Sequence, residues 1–271
     1  RWVEEKDTVY YIQGDIKKCF PSIPRKRLKE LLARDIKNDT VLWLVCELID
    51  MFGKAHNLRL GSRHSKLYRF VEATEYGISI GSYLSQYLSN YYISYAYHYA
   101  CSEALFKVRK TKRSGDVKVR LINHVLFYMD DFTITGTAKK HITMAMKRIV
   151  KFMQEFLGLT VKPNWKVCRV GDDEPIDMMG FVFSKAKTII RAKIFLKARR
   201  YFLEARKCLK QGITIPKRLA YQCVSGYGWF KNTDSFKVRQ KFGMDEIHKI
   251  CRKTIGYYAR LERGDLSAVI A

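Results

Sequence analysis

Residues His124 to Gly136, HVLFYMDDFTITG, place two adjacent aspartates, Asp130 and Asp131, between two short runs of strand-forming residues. Most side chains on both sides are β-branched or aromatic, which favours a β-hairpin with the two aspartates at its tip. Two like charges at one tip repel each other unless a cation lies between them. The stretch therefore predicts a hairpin that presents carboxylates to a metal ion.

A third carboxylate, Asp15, ends a strand-like run within TVYYIQGDIKKCF, residues Thr8 to Phe20. Pro21 and Pro24 follow and stop the strand pattern. A strand end holds a side chain rigidly, and this carboxylate would complete a set of hard oxygen ligands that suits Mg²⁺. An Asp-Asp pair alone is more often turn chemistry than metal ligation, so the inference depends on the motifs taken together.

Between the two acidic sites lies GISIGSYLSQ, residues Gly77 to Gln86. Gly77 and Gly81 permit close approach of the backbone, and Ser85 and Gln86 open a long tyrosine-rich helix. The chain thus carries, in order, a strand-end aspartate, a Gly-x-x-x-Ser-Gln segment and Tyr-Met-Asp-Asp.

In this order the motifs resemble those of the reverse transcriptases, and the resemblance covers nearly all of the chain. Besides motif A around Asp15, the matching segments are motif B at Ile80 to Gln86, motif C at Tyr128 to Asp131, motif D at Leu157 to Lys166 and the primer-grip motif E at Met178 to Phe183. The motif B form departs from the Gln-Gly-x-x-x-Ser-Pro of group II intron and retron enzymes. It is similar to that of diversity-generating retroelement reverse transcriptases, and some defence-associated bacterial enzymes share related forms.

The resemblance implies an RNA-directed DNA polymerase that adds deoxynucleotides to a primer 3′-hydroxyl with two Mg²⁺ ions, for which Mn²⁺ can substitute. Asp15 and Asp130 would hold the ions about 3.5 to 4 Å apart. Asp131 would be an auxiliary ligand, and the backbone carbonyl of Ile16 would complete the metal site. The implied partners are template RNA, nascent DNA, dNTPs, and an accessory protein or a structured non-coding RNA.

The same resemblance implies a nucleotide and template pocket formed by Phe20, Gly81, Ser85, Gln86 and Lys166. At the position of Phe20, reverse transcriptases place a bulky aromatic that collides with a ribose 2′-hydroxyl; its other interpretation is core packing. Ser85 could instead cap its helix. Lys166 would protonate the leaving pyrophosphate or pair with its charge, and Lys162 is the alternative motif D lysine.

The primer grip would consist of Met179, Gly180 and Phe181, where the glycine lets the backbone approach the primer end or marks a bulge. Trp229, within Gly228-Trp229-Phe230, could stack on nucleic acid or belong to the core of a thumb. The implied fold class is α+β: a right-hand polymerase palm, with an antiparallel sheet backed by helices, a partial fingers region and a helical thumb. We expect palm and fingers in residues 1–184, and the end of the grip hairpin with the thumb in residues 185–271.

Charge supports a polyanionic partner independently of the resemblance. The chain has 51 Lys and Arg against 26 Asp and Glu, a formal charge of +25, whereas small domains usually carry about 2 to 8 charges of either sign. Such an excess indicates nucleic acid, whose binding should weaken as salt rises. Two further classes remain open, an RNA-synthesising polymerase, which Phe20 disfavours, and an inactive nucleic-acid-binding module, which the three intact aspartates disfavour.

Hydrophobic residues make up 47% of the chain, enough for a full core. The seven cysteines are scattered and include no Cys-x-x-Cys pair, which indicates free thiols in a reducing compartment. No apolar run is long enough to span a membrane, so we expect a cytoplasmic protein without membrane contact. Because the chain starts at Arg1 and enters a strand near Val9, we expect an N-terminal part with further fingers residues to be missing.

Apolar spacing predicts two helices over Arg25 to Phe52, broken near Asn38-Asp39, a third from about Ser82 to Val108, and a fourth capped by Thr137 and ended by Gly158. Two basic stretches are expected as connectors: His56 to Tyr76, either a loop or hairpin near nucleic acid or a solvated connector, and Lys107 to Arg120, a linker. The C-terminal part is expected to form a hairpin and two basic thumb helices: strands Ile176 to Phe183 and Thr188 to Ile194, helices Phe195 to Lys210 and Pro216 to Phe230.

Overall fold

The computed structural model describes residues 2–59, 75–111, 115–171 and 174–263, with the side chains of 52–59 and 111 left out. The chain divides into two compact units, Arg1–Val170 and Gly171–Ala271. Each unit contains its own cluster of buried apolar side chains. The functional division into palm and thumb at residue 184 stays a prediction.

Nine strands are present among the described residues: β1 (Tyr10–Asp15), β2 (Phe106–Thr111), β3 (Gly115–Arg120), β4 (His124–Tyr128), β5 (Asp131–Gly136), β6 (Val167–Arg169), β7 (Ile176–Met178), β8 (Phe181–Phe183) and β9 (Thr188–Ile190). The same residues form nine helices: α1 (Cys19–Ser22), α2 (Arg25–Asp35), α3 (Asp39–Arg59), α4 (Tyr83–Cys101), α5 (Lys139–Leu157), α6 (Ala192–Lys210), α7 (Lys217–Gly228), α8 (Phe236–Phe242) and α9 (Met244–Glu262).

A four-stranded sheet with the order β4-β5-β1-β6 is the centre of the first unit. All three strand pairs are antiparallel. After Asp131, every residue of β5 is buried, because β5 lies between two strands and is covered on both faces. The antiparallel sheet predicted for this part of the chain is confirmed.

Helix α5 backs the sheet with one apolar face. Its buried side chains recur every three or four residues, at Ile142, Ala145, Met146, Ile149, Met153 and Leu157, the period of a helix that packs on one side. These side chains belong to the same buried cluster as Ile12 of β1 and Ile134 of β5. Gly158, with φ of 65°, ends the helix in a left-handed cap, as predicted.

The cap predicted at Thr137 is wrong. The residue that precedes α5 is Ala138, and no side chain caps the first turn. The hydroxyl of Thr137 instead donates a hydrogen bond to the carbonyl of Asp7, 3.1 Å away, so its role is to hold the start of the chain against the end of β5.

The predicted break near Asn38-Asp39 is confirmed, because α2 ends at Asp35 and α3 begins at Asp39. Asn38 Oδ1 accepts a hydrogen bond from the backbone N–H of Val41, 3.0 Å away. Of the stretch from His56 to Tyr76, residues 56–59 end α3 and residues 60–74 lie outside the described residues.

Two predictions about the following stretch are wrong. Helix α4 ends at Cys101 rather than near Val108, and Lys107 to Arg120 is not a linker in its described residues. Strands β2 and β3 pair antiparallel there, from Phe106 opposite Arg120 to Thr111 opposite Gly115. Apolar and charged residues alternate from Phe106 to Arg109 in β2 and from Asp116 to Arg120 in β3, the two-residue period of a β-strand. We call this two-stranded sheet the ribbon.

The second unit contains a three-stranded sheet, β7-β8-β9, and helices α6 to α9. Ile176 to Phe183 was predicted as one strand and is two, with the chain reversing at Met179-Gly180. The two predicted basic helices are present as α6 and α7. Phe202, Phe230, Cys223, Met244 and Cys251 are fully buried between them and α9. No helix in the described ranges is both long and apolar enough to cross a membrane.

Candidate catalytic carboxylate site

Asp15 and Asp131 face each other across two paired strands. In the antiparallel pairing of β1 with β5, Asp15 lies opposite Asp131 and Gly14 lies opposite Phe132. The backbone N–H of Ile16 donates a hydrogen bond to the carbonyl of Asp130, 2.9 Å away. Hydrogen bonds on both sides of the tip therefore fix the three aspartates relative to one another.

Met129 and Asp130 form the two-residue loop between β4 and β5, in which Tyr128 pairs with Asp131. Met129 has a φ of 53°, which is a left-handed backbone conformation. This conformation is unfavourable for a residue other than glycine, but two-residue hairpin loops require it. The loop places Asp130 at the tip and Asp131 at the first position of β5. The hairpin predicted from HVLFYMDDFTITG is thus present, with one aspartate in the loop and one in the strand.

Lys162 is the cation next to these carboxylates. Its Nζ donates a hydrogen bond to Oδ2 of Asp15, 2.7 Å away, and its backbone N–H donates to the carbonyl of the same residue, 2.8 Å away. The hydrogen bond with Asp15 raises the pKa of Lys162, and the charges of Asp130 and Asp131 raise it further. All three carboxylates thus lie within electrostatic reach of one ammonium group.

The motif D segment runs alongside the end of β1. Ile16 forms an isolated antiparallel bridge with Val161, and the N–H of Lys17 donates to the carbonyl of Thr160, 2.8 Å away. Because Val161 pairs with Ile16, the next residue, Lys162, lies beside Asp15. Lys166, the lysine preferred from the sequence, is exposed, and its role in the reaction stays a prediction.

The donor set fits Mg²⁺, which prefers carboxylate oxygens. Oδ1 of Asp15 is buried and has no hydrogen-bond partner, although an anionic oxygen without a partner is costly to bury. A bound cation would satisfy it. Within the described ranges, however, no group of three or more His, Cys, Asp and Glu side chains is arranged as a metal site, so ligation by Asp15, Asp130, Asp131 and the Ile16 carbonyl stays a prediction.

Cys19 lies beneath the aspartates and was not singled out from the sequence. Burial raises the pKa of the Cys19 thiol to about 11, and the nearby charges of Asp130 and Asp15 also raise it, against a hydrogen bond with Ser89 that lowers it. Its Sγ lies 3.7 Å from the hydroxyl of Ser89. The neutral thiol therefore connects α1 to α4 and is unsuited to act as a nucleophile or metal ligand.

Phe20 lies beside the glycine-rich segment. Its carbonyl accepts a hydrogen bond from the N–H of Ile78, 3.1 Å away, and the N–H of Gly77 donates to Ile23, 2.8 Å away. The ring is only partly buried against the core, so it is neither a complete core residue nor fully exposed. Gly81 has a φ of 93° and open space where a Cβ would be, so its backbone conformation, not crowding, requires glycine.

Ser85 does not cap α4. Ser82 precedes the helix, without a side-chain cap, and Ser85 is completely buried with no hydrogen-bond partner for its hydroxyl. Its burial does not support a direct contact with a nucleotide. Gln86 is partly exposed, while Tyr83 and Tyr87, one helical turn apart, are 82% and 73% exposed. The surface of the first turn of α4 is therefore aromatic and accessible.

The predicted primer-grip residues form the tight turn between β7 and β8. Met179 and Gly180 have φ values of 53° and 84°, as a type I′ hairpin turn requires. A Cβ on Gly180 would lie 2.8 Å from the ring of Trp229, and the Phe181 and Trp229 ring centroids are 5.2 Å apart. Trp229 thus packs on this hairpin within the second unit, and the contact of Met179, Gly180 and Phe181 with a primer stays a prediction.

An antiparallel sheet backed by helices, with carboxylates at the tip of a central hairpin, defines a palm of the polymerase kind. The profile of the family described as reverse transcriptase (RNA-dependent DNA polymerase) matches residues 2–183. This chain belongs to that family. A search of curated protein sequences finds none that matches.

A solved structure of telomerase from Candida tropicalis shares the fold. The complex with a TWJ fragment of telomeric RNA aligns with a TM-score of 0.51 and 12% identity, over 98% of this chain and 41% of that chain. Two apo structures give TM-scores of 0.45 and 0.46, at 14% and 13% identity, over 92% and 68% of this chain and 48% and 36% of those chains. At such identities the likeness concerns the fold alone, and this chain spans less than half the length of those telomerase chains.

Proposed function

We propose that this chain is an RNA-directed DNA polymerase that extends a primer 3′-hydroxyl with deoxynucleotides. The observation that carries the proposal is the carboxylate arrangement, with Asp15 opposite Asp131, Asp130 in the adjoining loop, and a buried Asp15 oxygen without a partner. Family membership supports the same reaction class.

In this proposal Asp15, Asp130 and Asp131 would hold two Mg²⁺ ions, for which Mn²⁺ can substitute, and these ions would supply activation of the 3′-hydroxyl and charge stabilisation at the triphosphate. The chain itself contributes positioning, because paired strands hold the carboxylates and little other covalent chemistry is required of the protein. Lys162 holds a positive charge beside Asp15, where it can pair with a phosphate oxygen of the nucleotide or of the leaving pyrophosphate.

Sugar selection is assigned to Phe20, whose partly exposed ring would exclude a ribose 2′-hydroxyl. Template and nucleotide contacts are assigned to the accessible start of α4, with Gly81, Gln86 and the exposed Tyr83 and Tyr87. Base stacking on tyrosine is worth about 1 to 3 kcal/mol per base and tolerates any sequence, as templated synthesis requires. Template RNA, nascent DNA and dNTPs are thus the proposed partners.

The test is primer extension on poly-rA/oligo-dT with Mg²⁺, supplied with dNTPs or rNTPs, by the chain and by Asp130→Asn. We expect extension with dNTPs only, and a loss of at least about a hundredfold in the variant, because a metal ligand contributes several kcal/mol to the barrier. Asp39→Asn, which removes an exposed carboxylate in the first turn of α3, is the matched control and should retain activity. Salt-sensitive RNA binding without extension would indicate an inactive nucleic-acid-binding module, and extension with rNTPs would indicate an RNA-synthesising enzyme.

For the biological type we propose a diversity-generating retroelement enzyme, on the form of motif B at Ile80 to Gln86; the second candidate is a defence-associated bacterial reverse transcriptase. An enzyme of this type would copy a template RNA with an accessory protein or a structured non-coding RNA. Sequencing of the cDNA made in cells that carry the neighbouring genes separates the two. Copies of one defined template, altered at specific bases, would support the first type, and their absence would contradict it.

A further inference from the structure

Helix α5 carries a row of basic side chains on the face turned away from the sheet. Lys139, Lys140, Lys147 and Lys151 are exposed, and Arg148 is partly exposed. Glu155 pairs with Lys151 of this row, 3.8 Å away, and Glu103 lines a neighbouring depression together with Arg148, Lys151 and Glu155. Lys140, Lys147, Arg148 and Lys151 line a shallow, open depression formed by α5 alone.

The ribbon, which lies against α5, is also basic. Its described residues include five cations against one acidic residue, Asp116, opposite Lys110. Because side chains alternate along a strand, Lys107 and Arg109 lie on one face of the ribbon, and Lys110, Lys118 and Arg120 lie on the other. The guanidinium of Arg148 donates a hydrogen bond to the carbonyl of Phe106, 2.8 Å away, and Lys107 Nζ lies 3.2 Å from Nε2 of His141. We call the exposed face of α5 together with the ribbon the α5-ribbon surface.

Cationic side chains outnumber acidic side chains on this surface. Burial lowers the pKa of His141, and the charges of Lys107 and Lys140 on either side lower it further. The imidazole is therefore held neutral between two cations, and the surface keeps its charge in lysine and arginine, which stay protonated at neutral pH.

The α5-ribbon surface is separate from the carboxylate site. The N–H of Leu121 donates to Leu105 at the base of the ribbon, and the N–H of Asn123 donates to Thr135. Thr135 lies four residues along β5 from Asp131, which is about 14 Å at a strand rise of 3.4 Å per residue. The ribbon end of the surface therefore lies at the end of the sheet opposite to the aspartates, and the lysines of α5 lie on the helix face turned away from the sheet.

The cations form lines rather than a compact patch. Lys140 and Lys151 are about 16 Å apart along the helix axis, and alternate ribbon residues are about 7 Å apart. Extended lines of positive charge suit a polymer with a charge on every unit, whose binding releases counterions. A folded acidic protein presents carboxylates without that regular repeat.

We propose that the α5-ribbon surface binds the phosphate backbone of RNA outside the catalytic cleft. The choice of RNA over DNA rests on the proposed function, in which RNA is the template and accompanies the enzyme throughout synthesis. Contacts there are to phosphate and carry no sequence preference, so the surface retains a structured or long RNA while the primer end occupies the carboxylate site.

The test uses the full chain, a fluorescent RNA hairpin longer than the primer-template duplex, and anisotropy over a range of salt concentrations. Saturating amounts of a short unlabelled primer-template duplex occupy the cleft. The variant Lys140→Gln, Lys147→Gln, Lys151→Gln is compared with the matched variant Lys6→Gln, Lys26→Gln, Lys37→Gln, which removes three exposed lysines elsewhere on the first unit.

We expect the α5 variant to bind the hairpin about tenfold more weakly, with the slope of log K against log salt reduced by about 2, and to extend a short primer-template like the unsubstituted chain. The matched variant should retain both properties. Equal hairpin affinity in the two variants would overturn the proposal. If the α5 variant binds polyglutamate more weakly than the unsubstituted chain does, but binds the RNA hairpin equally well, the partner is an acidic protein and the RNA assignment fails.

The hairpin binding measurement does not require polymerisation. A chain that fails to extend primers yet loses hairpin affinity in the α5 variant would contradict the proposed function and support this surface. Primer extension by the unsubstituted chain, together with unchanged hairpin affinity in the α5 variant, would support the proposed function and contradict this surface.

Discussion

Gly14 connects the packing of one aromatic ring to the position of a carboxylate. A Cβ at Gly14 would lie 2.2 Å from Cζ of Phe132, a residue that is fully buried with its ring stacked on Phe127 at 4.8 Å. Movement of the ring would disrupt its stacking on Phe127 within the core. Any side chain at Gly14 must therefore shift β1, and Asp15 is the next residue.

Gly14→Ala should accordingly destabilise the protein by about 1 to 3 kcal/mol, the usual range for overpacking a core, and reduce primer extension by displacing Asp15. Urea unfolding and the extension assay measure the two effects. Gly256→Ala is the control, because Gly256 lies in α9 with open space around it, and alanine is favoured in helices by up to about 1 kcal/mol. Unchanged stability in Gly14→Ala would show that Phe132 has another position.

Substitution also distinguishes the roles of the two motif D lysines, Lys162 and Lys166. Lys162 contacts Asp15, so we expect Lys162→Gln to lower kcat by roughly a hundredfold, as for loss of a proton donor or charge partner at the reacting phosphates. Lys166→Gln makes the same change of charge at an exposed position and should cost less. Single-turnover extension with saturating dNTP measures both, and a larger loss for Lys166→Gln would restore the assignment made from the sequence.

The candidate site shows what sequence can and cannot predict at this scale. Asp15, Asp130 and Asp131 were recognisable because they are carried by local strand and turn patterns. The contact of Lys162 with Asp15 depends on the bridge between Ile16 and Val161, a pairing of distant residues that spacing does not reveal. The burial of Ser85 likewise depends on which face of α4 meets the core.

At the scale of elements, α9 carries a pH-sensitive contact. The ring of His248 stacks on Tyr227 of α7 with centroids 4.0 Å apart. Burial lowers the pKa of His248 below its usual 6.5, and Arg252 lowers it further, against Asp245, which raises it. In acid the unfolded chain takes up a proton near pH 6.5 that the folded chain does not, so stability is lost as the pH falls below that value.

In His248→Gln, the free energy of unfolding should therefore decrease less steeply as the pH falls below about 6.5. Denaturant unfolding at several pH values measures the slope. The pKa of His141 is also lowered, so His141→Gln is expected to reduce the slope separately, and the double variant to reduce it further. An identical slope in His248→Gln and the unsubstituted chain would contradict the assignment.

Elements with ordinary local signals were predicted well, and the exceptions have physical reasons. The break between α2 and α3 and the Gly158 cap follow from turn and capping residues. The charges of Lys107 to Arg120 predict a linker because they outnumber the apolar residues. The alternation of apolar with charged residues indicates a strand pair only when the register of the ribbon is known. The turn at Met179-Gly180 has only half of a local signal, because glycine suits a type I′ turn whereas methionine rarely takes a positive φ.

For the whole molecule, the two buried clusters belong to different units. Ile149 is fully buried in the first and Phe202 in the second. Truncation of either to alanine should cost about 2 to 5 kcal/mol. We expect calorimetry to show Ile149→Ala lowering one transition and Phe202→Ala the other; a single transition lowered equally by both would show that the units unfold together.

The ribbon has a further consequence for how the molecule behaves in solution. Among the described residues β2 and β3 pair only with each other. Arg148 covers the carbonyl of Phe106 at the start of β2, and the outer edges of the other ribbon residues can accept another strand. Open edges promote aggregation, and lysine on them is a common protection. Lys107, Lys110 and Lys118 therefore protect the ribbon from self-association. A chain in which these three lysines are neutralised should precipitate at protein concentrations at which the α5 variant stays in solution.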